Sequence, residues 1–165
     1  MAGRGTIIPG QLLVAVAAGW TVLGAVAAWR AGLVPLWGWA GAAAGLAALA
    51  DAAWVLLLER PAFERRLPGR FAVGEPTEVV VRLDNRSGRA ARVAVADGVP
   101  ATAEAAELPL ELRVPARRRG EARYRVTQLQ RGEVRFAAAQ LRLRSPLGLW
   151  WRGWRAGGCT GWVTA

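Results

Sequence analysis

The sequence predicts a membrane α-helical hairpin followed by an all-β domain, an antiparallel, immunoglobulin-like (Ig-like) β-sandwich on the cytoplasmic side. Three observations indicate this fold class. Residues 1–58 carry only three charges, whereas residues 59–165 carry 20 arginines and 11 acids, a net charge of +9. The first part contains two long apolar stretches. The second part contains short runs in which apolar and polar residues alternate.

The first apolar stretch covers residues 7–29 and follows a short tail, 1–6. Its 23 residues lack any charge. As a helix it would be about 34 Å long, and a hydrocarbon core is about 30 Å thick, so we predict a first transmembrane helix. The alternative is a cleaved signal peptide, since small residues lie at Ala25 and Ala27. The run exceeds the usual apolar core of about 7–15 residues in such peptides, which favours the helix.

The second apolar stretch covers residues 35–58 and is interrupted only by Asp51. Gly41 and Gly45 form a GxxxG pattern, which is typical of close helix packing but also occurs in unpaired helices. We expect an interfacial belt of tryptophans near one end of the hairpin, as amphipathic rings prefer that depth. Its members are Trp29, Trp37 and Trp39.

Five residues, 30–34, join the two stretches, so the helices form a hairpin with both ends on one side. Arg30 is the charge in this turn, whereas Arg4 and a group of arginines after residue 58 flank the open ends. Positive charge is enriched on the cytoplasmic side of membrane proteins. We therefore predict a two-pass protein of the inner (plasma) membrane, in contact with the lipid bilayer, with both termini in the cytoplasm.

Asp51 is the candidate functional residue of the hairpin. A carboxylate in lipid is unfavourable and usually faces another helix or water. Two interpretations are open: a proton- or ion-linked site or polar contact to a partner helix, and a carboxylate near the interface that is protonated or bonded to the neighbouring helix. The second is favoured, because neither predicted span contains another ionisable group in its interior.

Alternating residues predict six short strands in a β-sandwich domain over residues 71–150. Pro109 marks its strand as an edge or moves the strand start beyond it. Residues 101–106 resemble a loop or a short helical turn. Residues 59–70 form a basic connector, whose arginines are expected to contact anionic lipid headgroups. The apolar positions of the six strands are Val79, Val81 and Leu83; Val93 and Val95; Leu108, Leu110, Leu112 and Val114; Tyr124 and Val126; Val134 and Phe136; and Leu141 and Leu143.

The residue inventory argues against catalysis. The chain has no His and no Lys, one Cys and two Ser. A Ser-His-Asp triad, a lysine Schiff base and a zinc site of several Cys or His ligands are therefore excluded. We predict a non-enzymatic protein without cofactor or metal, in which Cys159 is a free cytoplasmic thiol. An enzyme, a transporter or a channel is disfavoured on the same grounds.

Two stretches, 69–88 and 124–150, carry a family resemblance. With the hairpin in front, the chain resembles the N-terminal part of the "domain of unknown function 58" (DUF58) family of bacterial membrane proteins. The family's turn "RRG.y.f" corresponds to Arg131 and Gly132, and its "DPfGLf" segment to Pro146, Gly148 and Trp150, with Ser145 in place of the commoner Asp. We interpret these residues, together with Asp51, as structural or interaction candidates, since Gly suits a turn and Pro with Gly redirects a chain.

Members of that family continue into a von Willebrand factor A-like domain, which this sequence does not contain. We hypothesise a truncated or frameshifted product whose residues 151–165 form an irregular, non-native tail. Translation of the downstream DNA in the other two frames tests this hypothesis, which fails if no such domain is encoded there.

Two functions are compatible with these features. The resemblance implies an interaction or scaffold protein that assists a MoxR-type AAA+ ATPase in envelope or assembly processes. The alternative is a basic membrane-surface protein that binds anionic lipid or nucleic acid. Specific nucleic-acid recognition is not expected, because the outward strand positions lack interleaved aromatic residues. The oligomeric state is not predicted.

Overall fold

In the computed structural model, which describes residues 5–68, 72–130, 132–157 and 159–163, the chain forms two units. The first contains Thr6–Leu58 and Arg144–Arg152, and we call it the hairpin unit. The second contains Met1–Gly5, Glu59–Leu143 and Gly153–Ala165, and we call it the β-unit. The chain therefore leaves the hairpin unit after the second apolar stretch and returns to it for nine residues near its C-terminal end.

The hairpin unit contains the two predicted helices. Strand β1 (Thr6–Pro9) precedes helix α1 (Gln11–Trp29), a 3-10 turn (Ala31–Leu33) follows, and helix α2 (Val34–Leu57) completes the hairpin. Both helices are long and apolar enough to cross a membrane, with mean hydropathies of 2.0 and 1.7. Only 6% and 11% of the residues in these apolar stretches are buried within the protein. A helix that is apolar all round and yet exposed is unlike the core helix of a soluble protein.

Prolines help to define where the helices begin. Residues 7–10, predicted as part of the first helix, are not helical, because Thr6–Pro9 is extended and α1 begins only at Gln11. In α2, Pro35 occupies the first turn, where its missing N–H would have no intrahelical partner. Both helices thus match the predicted stretches with small shifts at their ends.

A tryptophan pair packs the two helices together. The ring centroids of Trp20 and Trp37 are 4.7 Å apart with planes at 8°. Each indole Nε1 donates a hydrogen bond to the other residue's carbonyl oxygen, at 3.2 and 3.1 Å. Glycines make room for the rings: a Cβ on Gly41 would lie 2.5 Å from Trp20 Nε1, and one on Gly24 would lie 2.8 Å from Trp37 Nε1. The ring of Trp37, which was predicted to belong to an interfacial belt, is thus used in packing the two helices together.

The two glycines of the GxxxG pattern differ in their surroundings. A Cβ on Gly45 would meet no atom within 4 Å, in contrast to Gly41. Both glycines line a cavity of about 220 Å³, together with Leu13, Ala17 and Ala48, among others. Close packing therefore depends on Gly41 and not on the pattern as a whole.

The β-unit contains two antiparallel sheets that form a β-sandwich. The strands are β2 (Ala62–Arg66), β3 (Pro76–Asp84), β4 (Ala91–Gly98), β5 (Ala103–Ala106), β6 (Leu110–Val114), β7 (Arg119–Gln128), β8 (Gly132–Arg144), β9 (Trp150–Ala156) and β10 (Cys159–Val163). One sheet has the strand order β2-β3-β7-β5, and we call it the paired-charge sheet. The other has the order β9-β8-β4-β6, with β10 also pairing with β8, and we call it the arginine sheet.

The predicted apolar alternation forms the core of the sandwich. β3, β4, β6 and β7 each bury residues on one face, as period-two patterning requires. Pro109 lies just before β6, which begins at Leu110 and is the edge of the arginine sheet, so both parts of that prediction are confirmed. The apolar side chains of the β-unit with at most 1% exposure are Val79, Val81, Leu83, Val93, Val95, Val114, Tyr124, Val126, Ala139, Leu141 and Leu143.

Two predicted strands are in fact one. β8 runs for 13 residues, where the sequence suggested separate strands around residues 134–136 and 141–143. Phe136 and Ala139 are both buried, whereas Ala137 and Ala138 between them are exposed. The alternation therefore changes phase inside a continuous strand, as at a β-bulge, which inserts one extra residue.

Three segments contain strands that the sequence pattern did not predict. Within 101–106, expected to be a loop or helical turn, β5 pairs with β7. Within 59–70, expected to be a connector, β2 pairs with β3 in antiparallel register. The tail 151–165 was expected to be irregular, but it contains most of β9 and β10, which pairs Cys159 with Phe136. Backbone pairing with a neighbouring strand decides the conformation of such segments over local preference.

Candidate functional site

Asp51 is the centre of a carboxylate clamp, by which we mean Asp51 together with the segment 145–150. It lies on α2, six residues before the last helical residue, Leu57, or about 9 Å along the axis. It is 3% exposed. Both parts of the clamp belong to the hairpin unit.

The carboxylate of Asp51 accepts three hydrogen bonds. Ser145 donates its hydroxyl to Oδ2 at 2.5 Å, the backbone N–H of Leu147 donates to Oδ1 at 3.0 Å, and that of Leu149 donates to Oδ2 at 3.2 Å. An ionised carboxylate is an acceptor only and can serve several donors at once. The partners of this buried acid are therefore the donors of a turn more than 90 residues away in sequence.

The segment 145–150 is itself closed by hydrogen bonds. Ser145 and Trp150 are joined by the Ser145 N–H to the Trp150 carbonyl at 2.9 Å, and by the Trp150 N–H to Ser145 Oγ at 3.0 Å. Gly148 donates its N–H to the Ser145 carbonyl at 3.0 Å and has a φ of +76°. This left-handed conformation favours glycine, and a Cβ there would also lie 2.7 Å from the Arg144 guanidinium. The turn thus has one defined shape in which the N–H groups of Leu147 and Leu149 point at Asp51.

The clamp also holds the start of α1. Gly10, the residue before that helix, donates its N–H to the Leu149 carbonyl at 2.7 Å. A Cβ on Gly10 would lie 2.7 Å from the Gly148 carbonyl oxygen, so the close approach requires glycine. On the other side, the Trp150 indole donates Nε1–H to the Ala48 carbonyl of α2 at 2.9 Å. One turn therefore contacts both helices of the hairpin.

Arg152 caps the C-terminal end of α2. Its Nη1 donates to the carbonyl oxygens of Val55, Leu56 and Leu58, at 3.1, 2.8 and 3.1 Å. The last carbonyl groups of a helix lack intrahelical partners and carry partial negative charge. The Arg152 guanidinium donates hydrogen bonds to these carbonyl groups and carries the opposite charge. The segment 144–152 therefore binds α2 at two positions, at Asp51 and at the helix end.

A second polar cluster lies inside the β-unit. Arg65 forms an ion pair with Asp97, with side chains 2% and 0% exposed, and Tyr124 donates its hydroxyl to the same carboxylate. The guanidinium also donates to the Ala137 carbonyl at 3.1 Å and lies 5.0 Å from the centre of the Phe136 ring. The expectation that Arg65 contacts lipid headgroups is therefore wrong, because this arginine is buried in the sandwich.

The signal for this cluster was present in the sequence. Asp97 continues the inward alternation of Val93 and Val95, and Tyr124 shares the inward face with Val126. A charged residue at an inward position requires a buried partner. The inward alternation of this strand extends beyond its last apolar residue, Val95, to a charged position that the apolar pattern alone does not reveal.

The outward faces of the two sheets differ in charge. On the paired-charge sheet, Glu78 and Arg123 approach to 2.9 Å, and Arg82 and Glu121 to 2.5 Å. On the arginine sheet, Arg92 stands directly opposite Arg113 in the β4–β6 register. Like charges directly opposite each other are unfavourable within a sheet.

Four of the six predicted site residues come together. Asp51, Pro146, Gly148 and Trp150 all belong to the clamp, and Pro146 is an exposed residue of its turn. Gly132 lies elsewhere, at the start of β8 opposite Val163. Arg131 lies outside the described residues. Among the described residues, the hydrogen-bond partners of Asp51 are one hydroxyl and two backbone N–H groups, and none of them belongs to another helix or to a group of metal ligands. The composition of the chain could not indicate these partners.

No family model matches the chain, and no curated protein matches it. Solved structures similar to it include the cupredoxin domain of amoB from Nitrosocaldus yellowstonii, with a TM-score of 0.38 and 10% identity over 65% of this chain and 86% of that one. A CARDB domain from Pyrococcus furiosus has a TM-score of 0.38 and 12% identity over 65% and 91% of the two chains. WR4, an MSP family member of C. elegans, has a TM-score of 0.34 and 8% identity over 65% and 98%.

Proposed function

We propose that the chain is a membrane-anchored, non-catalytic interaction or scaffold protein. In this proposal α1 and α2 cross the inner membrane, and the β-sandwich lies in the cytoplasm and binds a partner. The observation that supports it most is that both helices are apolar yet only 6% and 11% buried within the protein. Such a surface needs lipid or another apolar cover.

The distribution of arginines supports the cytoplasmic placement. Arg30 lies at the closed end of the hairpin, whereas Arg60, Arg65 and Arg66 follow the open end. Arg65 is buried in the β-unit, so Arg60 and Arg66 are the two arginines of this group that continue to support the bias. The bias still favours an open end that faces the cytoplasm.

The arginine sheet supports an acidic partner. Arg92 and Arg113 are exposed and directly opposite each other, whereas arginines of the paired-charge sheet pair with acids. Glu111, two residues before Arg113 on β6, is an exposed acid on the same outward face. A surface with an excess of positive charge steers and orients a partner of opposite sign. The family resemblance suggests that this partner is a MoxR-type AAA+ ATPase, and that the chain is its accessory in envelope or assembly processes.

Co-purification with an ATPase encoded beside the gene tests this proposal. The double variant Arg92→Gln with Arg113→Gln should lose most of the ATPase that the unchanged chain retains. The matched control, Arg123→Gln with Arg125→Gln, removes two arginines from the paired-charge sheet and should retain it. Equal retention by both variants, or no retention by the unchanged chain, contradicts the proposal.

A second candidate function is the binding of anionic lipid or nucleic acid. It is favoured by an exposed arginine triplet, Arg117 and Arg118 between β6 and β7 and Arg119 at the start of β7. Binding through phosphates weakens steeply with salt. Flotation with anionic vesicles and the gel shift of labelled RNA measure this binding. Binding that disappears between about 50 and 200 mM salt, and also in a variant with all three arginines replaced by Gln, would support this function.

A further inference from the structure

The clamp sets the level at which the segment 145–150 lies along the hairpin. Leu149 donates its N–H to Asp51 and accepts a hydrogen bond from the N–H of Gly10. Asp51 and Gly10 are therefore at the same level, and Gly10 is the residue immediately before α1. The last one and a half turns of α2 extend past this level.

This level coincides with a membrane boundary if α1 crosses the bilayer. The 19 residues of α1 span about 28 Å, which nearly equals a hydrocarbon core of about 30 Å. Gly10 then lies where hydrocarbon meets headgroups. Asp51 and the turn bonded to it must lie there as well, since hydrogen bonds of 2.7–3.2 Å join them.

One side chain of that turn is apolar and uncovered. Leu147 is 55% exposed, although its own backbone N–H is bound to Asp51. Its neighbour Pro146 is exposed too, whereas Leu149 is 7% exposed. The turn therefore buries one leucine within the hairpin unit and directs another outward at the level of the boundary.

We propose that Pro146 and Leu147 insert into the interfacial layer of the bilayer and form a third membrane contact beside the two helices. The partner is the upper acyl-chain region of the lipid. Irregular backbone is tolerated at such a depth only when its polar groups are satisfied by protein. The carboxylate of Asp51 satisfies the N–H groups of Leu147 and Leu149, so the same bonds that position the tip also permit its insertion. This inference rests on the proposed membrane anchorage.

Fluorescence quenching in reconstituted vesicles tests the inference. The full chain, with Cys159→Ser as background, carries an environment-sensitive probe at Leu147→Cys, Leu23→Cys or Leu57→Cys in turn. Leu23 and Leu57 are exposed residues of α1 and of the last turn of α2, at 58% and 85%. Vesicles of phosphatidylcholine and phosphatidylglycerol contain lipids brominated at either a shallow or a deep acyl position, and iodide is the aqueous quencher.

The probe at residue 147 should be quenched at least twofold more by the shallow bromines than by iodide. The probe at residue 23 should respond to the deep bromines, and the probe at residue 57 mainly to iodide. Quenching of residue 147 by iodide alone, with residue 23 still quenched by lipid, overturns the insertion but leaves the anchorage intact. Protection of residue 147 from both quenchers indicates a protein cover, such as a second copy, and also overturns it. If residue 23 is not quenched by lipid, the anchorage itself fails.

Discussion

Asp51 is unfavourable in an apolar helix taken alone, and the donors of a distant turn make it favourable. Its carboxylate accepts the Ser145 hydroxyl and two backbone N–H groups. Those N–H groups would otherwise be left without partners beside an apolar helix, which is costly. Acid and turn therefore depend on each other, and a change at either should affect both.

Asp51→Asn should lower the free energy of unfolding by about 2–4 kcal/mol, because the amide presents N–H atoms to groups that are themselves donors. Thermal or urea unfolding of the detergent-solubilised protein, followed by tryptophan fluorescence, measures the change. Asp84→Asn is the matched control, since that acid only approaches exposed arginines at 3.7 and 4.0 Å. The control should change stability by less than about 1 kcal/mol. Equal effects of the two variants would contradict the role of the clamp.

Ser145→Asp should destabilise this chain although the resembling family commonly has Asp there. The new carboxylate would lie within hydrogen-bond distance of Asp51, since the Ser145 hydroxyl is 2.5 Å from it, and like charges repel at that range. Adding Asp51→Ser to Ser145→Asp should restore at least half of the lost stability. The unfolding midpoints of the single and double variants decide the matter, and a double variant no more stable than Ser145→Asp would contradict the predicted repulsion.

Arg65→Met should destabilise the β-sandwich by about 3–5 kcal/mol, because it leaves the buried carboxylate of Asp97 without its ion pair. Arg123→Met, which removes an exposed partner of Glu78, should change stability by less than about 1 kcal/mol. Urea unfolding followed by circular dichroism compares the two. A small effect of Arg65→Met would mean that the buried ion pair contributes little to the sandwich.

Whether the role of a residue could be predicted depended on the kind of group that binds it. Asp51 stood out as a charge in an apolar stretch, and Gly148 and Trp150 stood out through the family resemblance; the structure brings them together. The pairing of Asp51 with backbone N–H groups could not be predicted, because a backbone donor has no signature in the sequence. The partnership of Arg65 with Asp97 was missed for another reason, since charge alone suggested an exposed residue.

Among the secondary-structure elements, the helical hairpin is held by rings that lie on glycines. Trp20 packs over Gly41 and Trp37 over Gly24, with each indole bound to the opposite helix. Small residues at helix contacts generally permit such close approach in lipid. The two indole N–H groups are also satisfied without water, as an apolar environment requires.

Gly41→Ala should weaken the hairpin, because the new methyl group would lie 2.5 Å from the Trp20 ring and force it to shift. Gly45→Ala should be neutral or slightly stabilising, since the space there is open and Ala favours a helix by about 1 kcal/mol over Gly. Near-ultraviolet circular dichroism of the stacked indoles and the thermal midpoint report the outcome. Loss of the indole signal in Gly45→Ala, or its retention in Gly41→Ala, would contradict the assignment.

Strands with a regular apolar face were predictable, and those defined by pairing alone were not. β3, β4, β6 and β7 follow clear alternation and lie where the pattern placed them. β5 and β10 lack that alternation and are extended because β7 and β8 offer hydrogen-bond partners. The phase change at Ala137 and Ala138 made β8 look like two strands, since a bulge interrupts the pattern without ending the strand.

Across the full chain, the hairpin unit is completed by residues far from its helices in sequence. The segment Arg144–Arg152 joins α1 and α2 of that unit, between two stretches of chain that belong to the β-unit. Asp51, Ala48 and the end of α2 bind this segment at three places. These hydrogen bonds, together with the one from Gly10 to Leu149, all lie within the hairpin unit and hold the segment to both of its helices.

Labelling of single cysteines in intact spheroplasts is the measurement that decides whether the hairpin anchors a cytoplasmic sandwich. In a Cys159→Ser background, Gly32→Cys places a thiol in the hairpin turn and Gly88→Cys places one between β3 and β4, both with no neighbouring atom within 4 Å of the new Cβ. The protein should stay in the membrane pellet after an alkaline wash. A membrane-impermeant maleimide should label residue 32 from outside and residue 88 only after lysis. Recovery in the soluble fraction, or labelling of residue 88 in intact spheroplasts, would contradict the proposed anchorage and orientation.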